Sequence, residues 1–157
     1  MRAGFGFDAH RMEPGRKFVL GGVHIENDRG AAGHSDADVL AHAVSDAILG
    51  AAAIGDLGGR FPASDPRWKD ADSLELLAQC AADVQRAGYS IQNVDATIVL
   101  ESPRLEPFVA RMRENLARSL GISTGQVSVK AKSSEGLGYT GDGTGIAASA
   151  IALIETL

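Results

Sequence analysis

Three short stretches of the chain carry side chains of the kinds that bind metals and phosphates. Asp8 and His10, in Phe7-Asp8-Ala9-His10, stand two apart, and residues two apart on an extended strand project to the same side. A carboxylate and an imidazole both ligate zinc, although an isolated Asp-x-His is more often a polar strand end. His34-Ser35-Asp36-Ala37-Asp38 is followed by His42 and Asp46. The spacing i, i+4, i+8 puts Asp38, His42 and Asp46 in one polar stripe, on a helix whose other positions are nearly all Ala, Val, Leu and Ile. Such a helix is expected to be buried, and buried ionisable groups need partners. A metal bound by Asp8, His10 and His42 is one such partner. Three protein ligands leave a coordination position open, as in catalytic rather than structural zinc sites. Asp46, one turn beyond His42, is placed to orient a ligand imidazole. His34 and Ser35 precede the helix, where unpaired amides and the dipole favour an anion such as phosphate.

The third stretch, Lys130-Ala131-Lys132-Ser133-Ser134-Glu135-Gly136-Leu137-Gly138, joins cations, hydroxyls, a carboxylate and glycines after an apolar strand. Hydroxyls and turn amides hold phosphate oxygens, and Glu135 suits Mg²⁺, which takes one or two protein carboxylates plus phosphates. A polar hairpin loop explains that composition equally well. Asp56-Leu57-Gly58-Gly59-Arg60-Phe61-Pro62 is a loop that either clasps a polyol through Asp56 or merely leaves a helix, held by Phe61. Cys80 falls in an apolar helix and reads as core. His24 has no acidic neighbour at ligand spacing.

The elements that must position these groups follow from periodicity and punctuation. Phe5 and Phe7 alternate with Gly4 and Gly6, so a strand is expected from Arg2 to about Asp8, with a turn over Met12 to Arg16. Phe18 to Ile25 is apolar and broken by Gly21-Gly22, a hairpin turn or bulge. Asp36 to Ala53 reads as a helix capped by Ser35 or Asp36. Gly55 to Trp68, with three glycines and two prolines, reads as a long and therefore functional loop. Asp72 and Ser73 start a helix that runs to about Ala87 and stops at Gly88. Val94 to Leu100 and Val127 to Ala131 are strands. Between them Pro107 opens a helix bearing Phe108, Met112, Leu116 and Leu120, which Gly121 stops. The alanines and isoleucines of Gly145 to Leu157 fit either period. This order predicts an α/β sandwich with helices on one face of the sheet.

With 157 residues, 45% of them hydrophobic, the chain is sized for one domain spanning residues 1–157. One cysteine excludes an intrachain disulfide framework and a cysteine-only zinc finger. A net charge of -5 argues against a general nucleic-acid partner, and an anionic substrate would need metals or local amides to hold it. No apolar run approaches the ~20 residues of a membrane span, and the first residues do not open a signal peptide. The expected setting is cytoplasmic, or a plastid stroma if the source is a plant or alga, with no membrane partner.

Taken together, Gly6-Phe7-Asp8-Ala9-His10, His34-Ser35-Asp36-Ala37-Asp38 with His42 and Asp46, Asp56-Leu57-Gly58 with Phe61-Pro62, and Ser134-Glu135-Gly136-Leu137-Gly138-Tyr139-Thr140-Gly141 resemble the 2-C-methyl-D-erythritol 2,4-cyclodiphosphate synthase family. The likeness covers essentially the whole chain. It implies a mixed sheet of ferredoxin-like topology with helices on one face, and makes the ambiguous tail a strand. It also implies a homotrimer whose sheets face the axis and whose active sites lie between subunits. The implied substrate is 4-diphosphocytidyl-2-C-methyl-D-erythritol 2-phosphate, cyclised with loss of CMP. The resemblance implies Zn²⁺ on Asp8, His10 and His42, and Mg²⁺ or Mn²⁺ on Glu135 and the diphosphate. His34 and Ser35 would contact phosphate, and His34, Ser133 and Glu135 would be the catalytic groups. Asp56, Leu57, Gly58, Phe61 and Asp65 would meet the methylerythritol. Leu100, Arg104, Leu105, Glu106, Ala131, Lys132 and Ser133 would cradle cytidine, with Ser134, Tyr139 and Asp142 completing the substrate contacts.

Several positions depart from the family pattern: Lys132 replaces a small hydroxyl residue, Ala63 a frequent carboxylate, and Asp142 and Thr144 a frequent Arg and Glu near the trimer axis. An aspartate there repels anions, so no prenyl diphosphate is expected in the central cavity. The rival readings are a zinc-dependent phosphoester hydrolase, using a metal-bound water, and a non-enzymatic trimeric metal-binding module.

Overall fold

Period-two alternation carries the first strand further than expected. In the computed structural model, which describes residues 1–157, β1 runs Arg2–Pro14 and turns only at Gly15 (φ 76°). Its far end is held in the sheet by β4 (Arg29–Ala31), paired antiparallel from Met12↔Ala31 to Pro14↔Arg29. The expected turn at Met12–Arg16 is thus mostly strand, because pairing to a distant segment extends what local composition would end.

Between these strands, β2 (Phe18–Leu20) and β3 (Val23–Ile25) form a separate hairpin. Its turn, Gly21-Gly22, has φ of 55° and 70°, the left-handed pair that glycine supplies without steric cost. The ambiguous tail is β7 (Gly145–Thr156), the central strand, antiparallel both to β1 and to β5 (Tyr89–Val99). At the far edge β6 (Val127–Lys132) runs parallel to β5, giving the mixed order β4-β1-β7-β5-β6. Strand form wins over helix in the tail because both its edges are paired.

The long helices α1 (Val39–Ala52), α3 (Ser73–Arg86) and α4 (Val109–Leu120) pack on one face, over a 35-residue apolar core. Short helices α2 (Leu57–Arg60) and α5 (Gly138–Gly141) lie in the connections, as do single turns at Pro66–Trp68 and Glu106–Phe108. Asp72 caps α3 through the Leu74 amide (2.9 Å), and Gly121 (φ 69°) ends α4. α1 starts later than expected. Its cap is Asp38, fully buried, whose carboxylate accepts from Ala41 N (3.0 Å) and from the hairpin amides of Gly21 (2.9 Å) and Gly22 (2.8 Å). Three cap-type residues precede α1, and the tertiary contact with the hairpin decides among them.

α1 crosses β1 at very short range. A Cβ on Gly4 would sit 2.0 Å from Ala47 O, and one on Gly6 1.9 Å from Ala43 O. On the opposite, uncovered face Phe5, Phe7 and Ile151 remain 65%, 53% and 52% exposed. Phe5 pairs directly with Ile151, so the apolar groups form one patch. No helix is long and apolar enough to cross a membrane.

Candidate active site in two clefts

Asp8 and His10 alternate with Phe7 and Ala9 and so face the helix layer, where α1 presents His42. Asp8 Oδ2 lies 2.8 Å from His10 Nε2 and 2.9 Å from His42 Nδ1, and the two nitrogens are 3.3 Å apart. A tetrahedral ion with ligands at about 2.0–2.1 Å separates its donors by roughly 3.3 Å, so the trio is already close to that spacing. His10 Nδ1 is 2.9 Å from Ala32 O. A carbonyl only accepts, so Nδ1 carries the proton and Nε2 turns a lone pair to the trio. The donor set fits a borderline cation such as zinc. All three residues are partly buried. Burial pushes the Asp8 carboxyl up, but the adjoining His10 and His42 imidazoles outweigh it and hold the pKa at about 2. Burial lowers the His10 pKa, and the Asp8 hydrogen bond and charge reverse that into a net rise.

His34 and Ser35 line the same cleft of about 330 Å³, with Asp46, Leu57, Gly58, Phe61, Ala63, Trp68 and Leu76. The amide-and-dipole argument for His34 and Ser35 needs correcting, because α1 begins four residues beyond Ser35 and Asp38 already fills the anion position at its start. What His34 and Ser35 offer a ligand is their side chains. His34 Nε2 reaches Asp65 O (3.0 Å), and Ser35 Oγ lies 3.1 Å from His42 Nε2. Asp46 does not orient His42. Its Oδ1 accepts from Leu57 N (2.7 Å), and burial raises its pKa against that bond. The outer nitrogen of His42 instead meets Ser73 Oγ at 2.8 Å.

Leu57, Gly58 and Phe61 reach the cleft, whereas the carboxylates of Asp56 and Asp65 turn elsewhere. Asp56 caps α2 through Gly59 N (2.7 Å), and Asp65 caps the Pro66–Trp68 turn and pairs with Arg67 (2.7 Å). The loop is pinned from behind by an ion pair of Arg60 with buried Asp83 of α3. Phe61 packs edge-on against Trp68, with centroids 4.9 Å apart. Ser73, Trp68 and Leu76 were not signalled by the sequence. Ser73 reads there as an ordinary helix start, and the other two as packing residues.

Leu100, Arg104, Leu105, Glu106, Ala131, Lys132 and Ser133 line a second cleft of about 620 Å³, closed by Glu101, Pro103 and Arg113. It does not open into the first. Asp8 pairs with Ala148, Ala148 with Ile98, and Ile98 with Ala131, so the two clefts sit level across the sheet. Three strand spacings separate them, about 14 Å. Ser133 Oγ donates to Glu101 Oε2 (2.7 Å) and accepts from Glu135 N (2.9 Å). This holds Glu135 at φ 55°, an uncommon conformation for a non-glycine residue of the kind found at ligand clamps. Ser134 Oγ meets Thr140 Oγ1 (2.7 Å), tying the loop to α5. Tyr139 of α5 is exposed, and Asp142 beyond it accepts from Thr144 N (2.9 Å) and Oγ1 (2.6 Å), which lower its pKa.

Comparison with known proteins covers nearly the full length. Residues 1–155 match the YgbB family. The chain is 58% identical over 154 residues to a protein of Moorella thermoacetica named 2-C-methyl-D-erythritol 2,4-cyclodiphosphate synthase, covering 98% of this chain and 94% of that one. Among solved structures it superposes on the bifunctional IspDF of Campylobacter jejuni with a TM-score of 0.95 and 38% identity, over 99% of this chain and 42% of that longer one. It also superposes on the Plasmodium falciparum IspF–CDP complex with a TM-score of 0.86 and 30% identity, over 99% and 96% of the two chains.

Proposed function

The chain belongs to the YgbB family, whose members include enzymes named for making 2-C-methyl-D-erythritol 2,4-cyclodiphosphate, and from that premise we propose its substrate, metals and assembly. It is a phosphorus–oxygen lyase of isoprenoid biosynthesis. The substrate is 4-diphosphocytidyl-2-C-methyl-D-erythritol 2-phosphate. An oxygen of its 2-phosphate attacks the β-phosphorus, the bond from that phosphorus to the bridging oxygen breaks, and the electron pair leaves with CMP. The observation that carries the reading is the convergence of Asp8, His10 and His42 in a cleft that His34 and Ser35 also line.

Because the nucleophile is already an anion, no Ser-His-Asp set or general base is needed. The obstacle is repulsion among phosphates in a protein of net charge -5. Two unit charges at 4 Å interact by about 4 kcal/mol at an effective dielectric of 20, equivalent to roughly 10³ in rate. Asp8, His10 and His42 would hold Zn²⁺ and Glu135 would hold Mg²⁺ or Mn²⁺; bound there, the two cations would supply the charge that offsets this repulsion. His34 and Ser35 orient the phosphates by hydrogen bonds, and Ser133 steadies the charge that builds as the bond breaks. Leu57, Gly58 and Phe61 pack the methylerythritol, while Leu100 to Glu106 and Ala131 to Ser133 receive cytidine. Tethering of the attacking group makes alignment effective.

The two half-sites meet in a homotrimer, each site shared by neighbouring copies. Support comes from the positions of the clefts toward opposite edges of the sheet and from the apolar patch of Phe5, Phe7 and Ile151, since a rotational ring brings unlike edges together. Residues 1–157 act as one domain, in the cytoplasm and without nucleic-acid or membrane partners. Incubating the protein with the cytidine diphospho-substrate, zinc and magnesium should give a cyclic diphosphate and CMP by phosphorus NMR. A linear product carrying label from ¹⁸O-water would identify a hydrolase instead, and turnover of nothing would leave a binding module.

A further inference from the structure

The outer nitrogen of His42 leads into a buried polar chain that none of the roles above uses. Ser73, first residue of α3, is 1% exposed. Its hydroxyl lies 2.8 Å from His42 Nε2 and also contacts Asp36 Oδ1, while Asp36 Oδ2 accepts from Ser73 N at 3.0 Å. Asp36 is itself fixed by accepting from Asp38 N (3.2 Å).

Counting protons orders this chain. An ionised carboxylate only accepts, and a serine hydroxyl has one hydrogen. With that hydrogen given to Asp36, Ser73 Oγ can only accept, and the proton it accepts is the one on His42 Nε2. The Nδ1 lone pair is then directed at Asp8 and His10. Without this control the nearby Asp8 Oδ2, 2.9 Å from Nδ1, would draw the imidazole proton to the wrong nitrogen, where an incoming cation would have to displace it. We infer that Asp36 and Ser73 are positioning residues which fix the Nε2–H tautomer of His42 and so raise affinity for the cation. This rests on reading Asp8, His10 and His42 as a metal centre. Ser35, 3.1 Å from the same nitrogen, is a second acceptor that softens the loss when Ser73 is removed.

Two variants and two readouts test it. Zinc affinity by chelator competition should fall roughly 10-fold in Ser73→Ala and further in Asp36→Asn, within the ~10–100-fold typical of groups that orient a ligand. Asp36→Asn has the larger effect because its amide can donate to Ser73 Oγ, turning the hydroxyl hydrogen toward His42 and sending the imidazole proton to Nδ1. Nitrogen NMR of the metal-free protein at alkaline pH should show His42 protonated at Nε2 in the wild type and shifted toward Nδ1 in Asp36→Asn. Folding is checked by circular dichroism, and if Ser73→Ala does not fold, Asp36→Asn and the wild-type spectrum still decide. Affinities within twofold of wild type, or a wild-type Nδ1–H form, overturn the inference. A wild type with the Nε2–H tautomer but no zinc affinity instead overturns the metal-centre reading and leaves the tautomer control standing.

Discussion

Around Asp8, each polar side chain finds a partner within the chain: His10 on Ala32 and Asp8, His42 on Ser73 and Ser35, Asp46 on Leu57, His34 on Asp65. Around Arg104 the polar side chains stand in solvent and bond to one another, Arg104 to Glu106 (3.0 Å) and Ser133 to Glu101. The first cleft is finished by one chain, with geometry fixed before any ligand arrives. The second is a framework of strand ends and a loop carrying Glu135 at positive φ, with most of its polar side chains exposed. The chain thus carries one cleft closed by its own hydrogen bonds and one left open to solvent, and the Asp8–His10–His42 cluster belongs to the closed one.

The sharpest break of that contrast is His42→Ala. It should reduce zinc affinity by more than the roughly 10–100-fold of an outer partner and abolish turnover, by chelator competition and product assay. Ile151→Asp separates the halves without touching either. Light scattering should report a single chain mass, zinc per chain should be unchanged, and turnover should fall to background; a trimer that persists with full turnover would contradict shared sites. Glu135→Gln should leave zinc content and assembly intact and slow turnover by about 10²–10³-fold, the scale of one lost electrostatic contact in a reacting site.

The smallest effect lies on the open sheet face, where Lys130 pairs with Asp95 at 2.7 Å. Its hydrogen bond holds the Asp95 carboxyl below the usual 3.8. A depressed folded pKa adds stability that is present above pH 3.8 and is lost as the pH falls through the lower folded value. Both side chains are about half exposed, so the loss in an isolated chain is under ~1 kcal/mol. Asp95 is registered against Ile151, so if the proposed trimer forms through this face the acid-induced loss, read from denaturant melts, should be larger in the wild type than in Ile151→Asp.

The ligand trio was legible because it follows local rules: two residues apart on a strand, and a histidine on an apolar helix. α3 was legible for the same reason, since Asp72 and Gly88 mark its ends. What escaped depends on distant contacts. Asp38 became the cap of α1 through amides at Gly21 and Gly22, and Ser73 entered the site from 31 residues beyond His42. The split into two clefts was hidden because order along the chain says nothing of lateral distance. Asp8 and Ala131 are neighbours in the proposed chemistry and yet stand three strand spacings apart.

Gly4 and Gly6 extend this lesson to residues with no side chain. Ala43, whose carbonyl a Cβ on Gly6 would strike, immediately follows His42, so the gap between α1 and β1 sets the reach of that imidazole. Gly6→Ala adds one methyl group, removes no ligand and alters no charge. It should nevertheless prise the helix from the strand and cost the proposed centre its zinc affinity, so the convergence of Asp8, His10 and His42 depends on what is missing from β1 as much as on what it bears.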